Sequence, residues 1–223
     1  MLRETKTSIC NKALLLLGEE PINSLSDNSS KAARICNEQY NLTLRAALED
    51  GQWPFTTREE VVQRITAPDY DQEQKYIYAI PNDCALIVSL TPRFSRKQMR
   101  KGIDWDIRYI PSLKRDAIIC NLESITDPEV EKETEQQEQI IMEYVSDNGE
   151  EASYKGMFIK YLVAQLAADI CMPITHDQQR FGTMIQYAMQ MRQQALQNAL
   201  NEDGKDKMHW VDPITSSRSG GLL

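Results

Sequence analysis

The feature that most constrains this chain is a hydrophobic period that changes twice. Up to about residue 50, apolar residues recur every three or four positions, the spacing of one buried helix face. Between about residues 56 and 148 the apolar runs are short, rich in β-branched and aromatic residues, and bounded by prolines. From about residue 149 the helical spacing returns. A single regular architecture cannot satisfy both periods, so the chain must combine helices with a sheet.

The first helix is expected over 7–17, capped by Thr7 or Ser8, with Ile9, Ala13, Leu16 and Leu17 inward and Gly18 as its stop. After the loop "GEEPINSLSDNSS", Ser29 or Ser30 caps a second helix. Its stripe is Ala33, Cys36, Tyr40, Leu44, Ala47 and Leu48, and Gly51 ends it. Two more helices are expected over 154–172, ended by Pro173, and over 177–201, capped by Thr175. The third carries Phe158, Tyr161, Leu162 and Leu166 on a broad apolar face. The fourth has Phe181, Ile185, Ala188, Met189, Ala195 and Leu196 inward.

In the middle, "QKYIYAIP", "CALIVSLTP", "DAIICNL" and "IIMEYVS" read as strands. "DWDIRYIP" alternates, with Trp105, Ile107 and Tyr109 on one face and Asp104, Asp106 and Arg108 on the other. The expected fold is α+β, mainly α. A four-helix bundle, discontinuous over 1–55 and 149–203, carries a small antiparallel β insert at 56–148 between its second and third helices. An extended C-terminal arm follows at 204–223. Trp53, Pro54 and Phe55 stand at the bundle–insert junction. Pro54 stops the helix from continuing, and burial of both rings is expected there.

The formal net charge is −8, the wrong sign for a tight grip on nucleic acid but suited to a channel wall past which DNA slides. No apolar run approaches the roughly 18 residues of a membrane span, and no signal-peptide core is expected at the N-terminus. The five cysteines, Cys10, Cys36, Cys84, Cys120 and Cys171, lack zinc or disulfide spacing and read as small buried hydrophobes.

His176 and His209 have no partner at metal or triad spacing, and no phosphate loop, dinucleotide fingerprint or nucleophile elbow is present. No catalytic residue, cofactor site or metal ligand is therefore nominated. The acidic run over 127–139 reads as a solvated segment. The basic run of Arg93, Arg96, Lys97, Arg100 and Lys101 is a candidate contact for a neighbouring subunit or for phosphate. The glycosylation-type triplets at Asn28 and Asn41 read as a helix cap and a helix surface.

Taken together, "ICNKALLLLGEEPINSL", the long helix ending in Trp53-Pro54-Phe55, "YAIPNDCALIVSL" and "AADICMPITHD" resemble the head-to-tail adaptors of short-tailed bacteriophages. These are the tail tubular protein A family and related portal-adjacent tail accessory factors. The shared frame is Leu17-Gly18, Glu20-Pro21-Ile22, Trp53-Pro54-Phe55, Tyr78, Pro81, Asp83, Cys84, Ala167-Ala168 and Pro173-Ile174-Thr175. It covers about residues 8–201. The acidic segment near 129–139 departs from it.

The resemblance implies a structural virion protein, made in the host cytoplasm and without enzymatic activity. It would form a ring, typically of twelve copies, beneath the portal protein. The ring would extend the channel for genomic DNA, without specific binding, and seat a downstream tail or nozzle protein; no membrane is involved. It also implies that the C-terminal arm docks on the portal or a neighbour. Trp210, Val211, Pro213 and Ile214 are its candidate anchors, an apolar cluster in a polar tail. Two other readings are open: a tail accessory factor with muramidase-like cell-wall hydrolase activity, and a non-viral helical protein-binding scaffold.

Overall fold

Thr5 and Ser8 cap each other's backbone at the start of α1 (Lys6–Leu16), closing a reciprocal capping box. Gly18 follows the helix with φ +73, a left-handed conformation that glycine adopts without steric cost. The structure, a computed structural model, describes residues 4–27, 29–68, 76–93, 104–121, 139–147, 149 and 151–207. These group into two compact units, Met1–Phe55 with Gly149–Leu223, and Thr56–Asn148.

In the first unit α1 buries Ile9, Cys10, Ala13 and Leu14, and Leu17 is buried just beyond it. Leu16, expected inward, is instead 40% exposed, because the stripe turns through Leu14 to Leu17. α2 (Lys31–Glu49) is capped by Ser30 and buries the expected stripe together with Thr43. α3 (Gly156–Thr175) runs through Pro173 and stops at His176, whose φ of 54 is left-handed. Pro173 lies in the last turn, where its missing N–H costs a single helical bond. α4 (Gln178–Lys207) is capped by Asp177, not Thr175. The Asp177 carboxylate accepts from the backbone N–H groups of Gln179 and Arg180 at 3.0 Å. It also runs past residue 201, into the segment expected to begin the arm.

α1, α2 and α4 each pack along α3. α3 is apolar nearly all round and buries ten side chains, from Phe158 to Cys171. Its length and hydropathy match a membrane span, contrary to the expectation that no such segment exists, and more than half of it is buried inside the protein.

The second unit holds seven strands among the described residues. β1 (Thr57–Val61), β7 (Gln139–Ser146) and β4 (Cys84–Arg93) form one antiparallel sheet in the order β1-β7-β4. β2 (Arg64–Ile65), β3 (Tyr76–Ala79), β6 (Arg115–Cys120) and β5 (Trp105–Ile110) form another in the order β2-β3-β6-β5. Tyr78, Ile118 and Cys120 from one sheet share a core with Ile140, Met142 and Tyr144 from the other. Ile77, Ala117 and Ile119 form a second cluster from the alternate positions of β3 and β6.

The expected four-helix bundle with a small β insert is thus overturned. The helices arrange as three around a central one, and the β region is two sheets with its own core. The reason is partly that β1, "TREEV", shows no apolar alternation. Its place comes from long-range pairing, Thr57 opposite Val145 through Val61 opposite Ile141. A second reason is that α3 has enough apolar surface to serve three partners, where a bundle helix has one inward stripe.

Candidate interaction surfaces

The aromatic stretch at the exit of α2 packs within the helical unit. Trp53 is 1% exposed, and its indole Nε1 donates to the carbonyl of Ala47 at 3.0 Å. Its ring meets Phe158 edge-on at 4.8 Å between centroids and stacks on Tyr161 at 6.4 Å. Phe55 lies 5.1 Å from Phe158 and 5.7 Å from Tyr154. Beside this cluster Asp50, the C-cap of α2, accepts from the hydroxyl of Tyr161 and from Arg192 of α4. One carboxylate therefore ties α2, α3 and α4. The Tyr161 phenol is pushed up by burial and by that carboxylate.

A groove of about 380 Å³ opens in the same unit, where α1 and α4 flank α3. Leu16 and Lys12 of α1, Ile159 and Val163 of α3 and Tyr187 of α4 line it. Lys12 pairs with Glu4 at its rim, and the hydrogen bonds from Lys12 and Ser8 hold the Glu4 carboxyl below its ordinary range. α4 has two apolar stripes. Ala188, Met191, Ala195 and Ala199 are buried. Met189, expected in that face, is 65% exposed. With half-buried Leu196 and 69%-exposed Leu200 it recurs at i, i+7 and i+11 along a second stripe.

In the β unit, polar groups gather at the start of β4. Asp83 accepts from Ser146 at 2.7 Å, from Arg58 at 3.2 Å and from the Tyr144 hydroxyl at 3.4 Å. That hydroxyl also lies 3.3 Å from Glu60. Burial, then the charges of Asp83 and Glu60, push the Tyr144 phenol up to about 12. A cleft of about 190 Å³ lies nearby, lined by Glu60, Gln63, Asn82, Arg115 and Met142, with the Arg115 guanidinium donating to the carbonyl of Ile80. Asp83, placed in the sequence only by the frame around "YAIPNDCALIVSL", is thus a polar hub among the described residues of its unit.

The neighbouring thiol of Cys36 on α2, together with burial, pushes the Cys10 thiol on α1 up. Among the described residues no cluster of three His, Cys, Asp or Glu side chains is placed to hold a metal ion. His176 is exposed, its Nε2 3.4 Å from the Lys31 ammonium.

Arg93 is the last residue of β4, with its side chain outside the described set, and Arg96, Lys97, Arg100 and Lys101 lie outside the described residues. So do the acidic run up to 138, His209, and the arm residues Trp210, Val211, Pro213 and Ile214. In β5, the face shared by Trp105, Ile107 and Tyr109 is largely open: Ile107 is 45% and Tyr109 61% exposed. Tested against protein-family models and against curated proteins, the chain matches none.

Proposed function

We propose that this protein is a structural head-to-tail connector of a short-tailed bacteriophage. It assembles as a ring beneath the portal, extends the DNA channel and seats the tail. The observation that carries this reading is the ordered set of sequence segments from "ICNKALLLLGEEPINSL" through Trp53-Pro54-Phe55 to "PITHD". Several of these residues have defined structural work. Gly18 takes the left-handed turn after α1, Ile22 is held by Asn11, and Trp53 centres an aromatic cluster.

The surface of the helical unit agrees with an assembling role. Leu15, Leu42, Met189 and Leu200 are each more than 60% exposed on three different helices. Side-by-side packing of copies would remove them from water. The net charge of −8 suits a channel through which a polyanion passes without sticking.

The test is electron microscopy of the purified chain with and without a purified portal. Closed rings stacked on the portal are expected. Protein that stays dispersed in the presence of portal would remove the reading. A cleared band on a peptidoglycan zymogram would favour the hydrolase reading instead.

A further inference from the structure

β5 is the outermost strand of its sheet among the described residues. Asn121 donates its backbone N–H to the carbonyl of Asp104 at 3.2 Å, which makes that opposed pair hydrogen-bonded. The pairing of β5 with β6 runs in register from Trp105 opposite Cys120 to Ile110 opposite Arg115. Hydrogen-bonded pairs alternate along an antiparallel ladder. The even-numbered residues of β5 therefore bond to β6, and the backbone groups of Trp105, Ile107 and Tyr109 point away from it. The side chains of the same three residues share one sheet face, and on Ile107 and Tyr109 that face is open to solvent.

We infer that β5 is a self-complementary docking edge. It pairs antiparallel with β5 of a second copy of this chain about a two-fold axis through Ile107. Trp105 then lies opposite Tyr109 of the second copy, and Ile107 opposite its own counterpart. On the other face Asp106 meets Arg108 of the second copy. That last pair falls at a non-hydrogen-bonded position, where cross-strand side chains come closest.

Charge selects this register. Only odd-numbered residues offer outward backbone groups, so the strands can slip only in steps that keep odd opposite odd. One such slip sets Asp106 against Asp106, and the opposite slip sets Arg108 against Arg108. Each places like charges directly across from one another, which destabilises the pair. The register centred on Ile107 alone gives opposite charges at both positions and stacks aromatic on aromatic.

Within one chain these charges already serve the edge. Asp106 accepts from Arg108 Nε at 3.0 Å and from the outward N–H of Ile107 at 2.9 Å. The carboxylate occupies the place that a partner carbonyl would take, as charged residues on exposed edges commonly do against promiscuous pairing. A second copy supplies that carbonyl and frees Asp106 to join an alternating ladder of four charges. The inference does not rest on the connector reading: a two-fold pair of edges is separate from the head-to-tail contacts of a ring.

Analytical ultracentrifugation of the full chain across a concentration series tests it. A concentration-dependent dimer is expected. Ile107→Pro removes the outward N–H, with its bond to Asp106, and no ladder bond to β6; such a change is tolerated on edge strands and is expected to leave a folded monomer. Asp106→Arg is expected to raise the dimer dissociation constant by at least about tenfold. The double exchange Asp106→Arg with Arg108→Asp is expected to restore it. If Ile107→Pro fails to fold by circular dichroism, the charge exchange decides alone. A chain monomeric at every concentration, or self-association indifferent to the charge exchange, overturns the inference.

Discussion

Asn11 of α1 holds Ile22 by both of its backbone groups: its Oδ1 accepts from the Ile22 N–H at 2.8 Å and its Nδ2 donates to the Ile22 carbonyl at 2.9 Å. The side chain amide thus acts as a strand of one residue and pins the loop after Gly18 against the helix. Ile22 is 8% exposed, so neither backbone group has easy recourse to water. Asn11→Ala should cost about 1–3 kcal/mol, the penalty for stranding partly buried polar groups. Asn11→Asp keeps the acceptor, loses the donor and should cost more than conservative surface changes. Urea denaturation at constant m would read both.

Trp53 combines a large buried ring with one directed hydrogen bond. Trp53→Ala should destabilise by about 3–5 kcal/mol, as for other large-to-small aromatic changes in cores. Trp53→Phe retains most of the ring contacts with Phe158 and loses the bond to Ala47, so its cost should fall near 1–3 kcal/mol. On the proposed connector reading, portal binding in pull-downs at a temperature where each variant is folded should survive both. Selective loss of binding with unchanged melting would assign Trp53 a contact role instead.

Gly51 sits where α4 passes close to the end of α2. A Cβ built there would lie 2.4 Å from Cδ2 of Leu196. Gly51→Ala must therefore push the tip of that half-buried side chain aside, at less than the about 1–3 kcal/mol of overpacking a closed core, because the leucine end can swing away. In a Leu196→Ala background the same change should be nearly neutral. A double-mutant cycle with no coupling between the two positions would contradict the close approach.

Alkaline stability of the β unit should carry the mark of Tyr144. Its folded pKa of about 12 stands above the ordinary phenol value near 10, so the fold disfavours the phenolate. The contribution is complete below about pH 10 and is lost as pH rises from about 10 to 12. Tyr144→Phe should flatten that part of the stability curve. Tyr40 and Tyr161, also raised chiefly by burial, would still titrate in the variant. Phenolate absorbance followed alongside unfolding separates the contributions.

Periodicity located the helices because their signal is local. The stripe from Ala33 to Leu48 is the buried face of α2, and Ser30 caps it as a short polar side chain before such a stripe should. Strands with β-branched or aromatic content, such as "YIYA" and "QIIMEYVS", were legible for the same reason. β1 was not, because four of its five residues are polar or charged and its partners lie 80 to 88 positions away. Leu16 and Met189 show the complementary error. Each has the apolar character of a core residue and stands exposed, since hydropathy records what a side chain prefers and not which neighbour reaches it.

What the sequence determined by itself was the alternation of helix and strand and the main helix faces, together with the stop at Gly18 and a serine cap at 29 or 30 for α2. These depend on backbone and side-chain preferences over a few neighbouring residues. Only the tertiary structure decided that α3 would be shared by three helices, that the strands would divide into two sheets, and that β5 would be left at an edge. Asn11 reaching Ile22, Asp50 tying Tyr161 to Arg192, and Asp83 gathering Arg58, Tyr144 and Ser146 belong to the same level. Each joins groups whose attraction acts only after the chain has brought them within hydrogen-bond distance, and no spacing along the sequence encodes that distance.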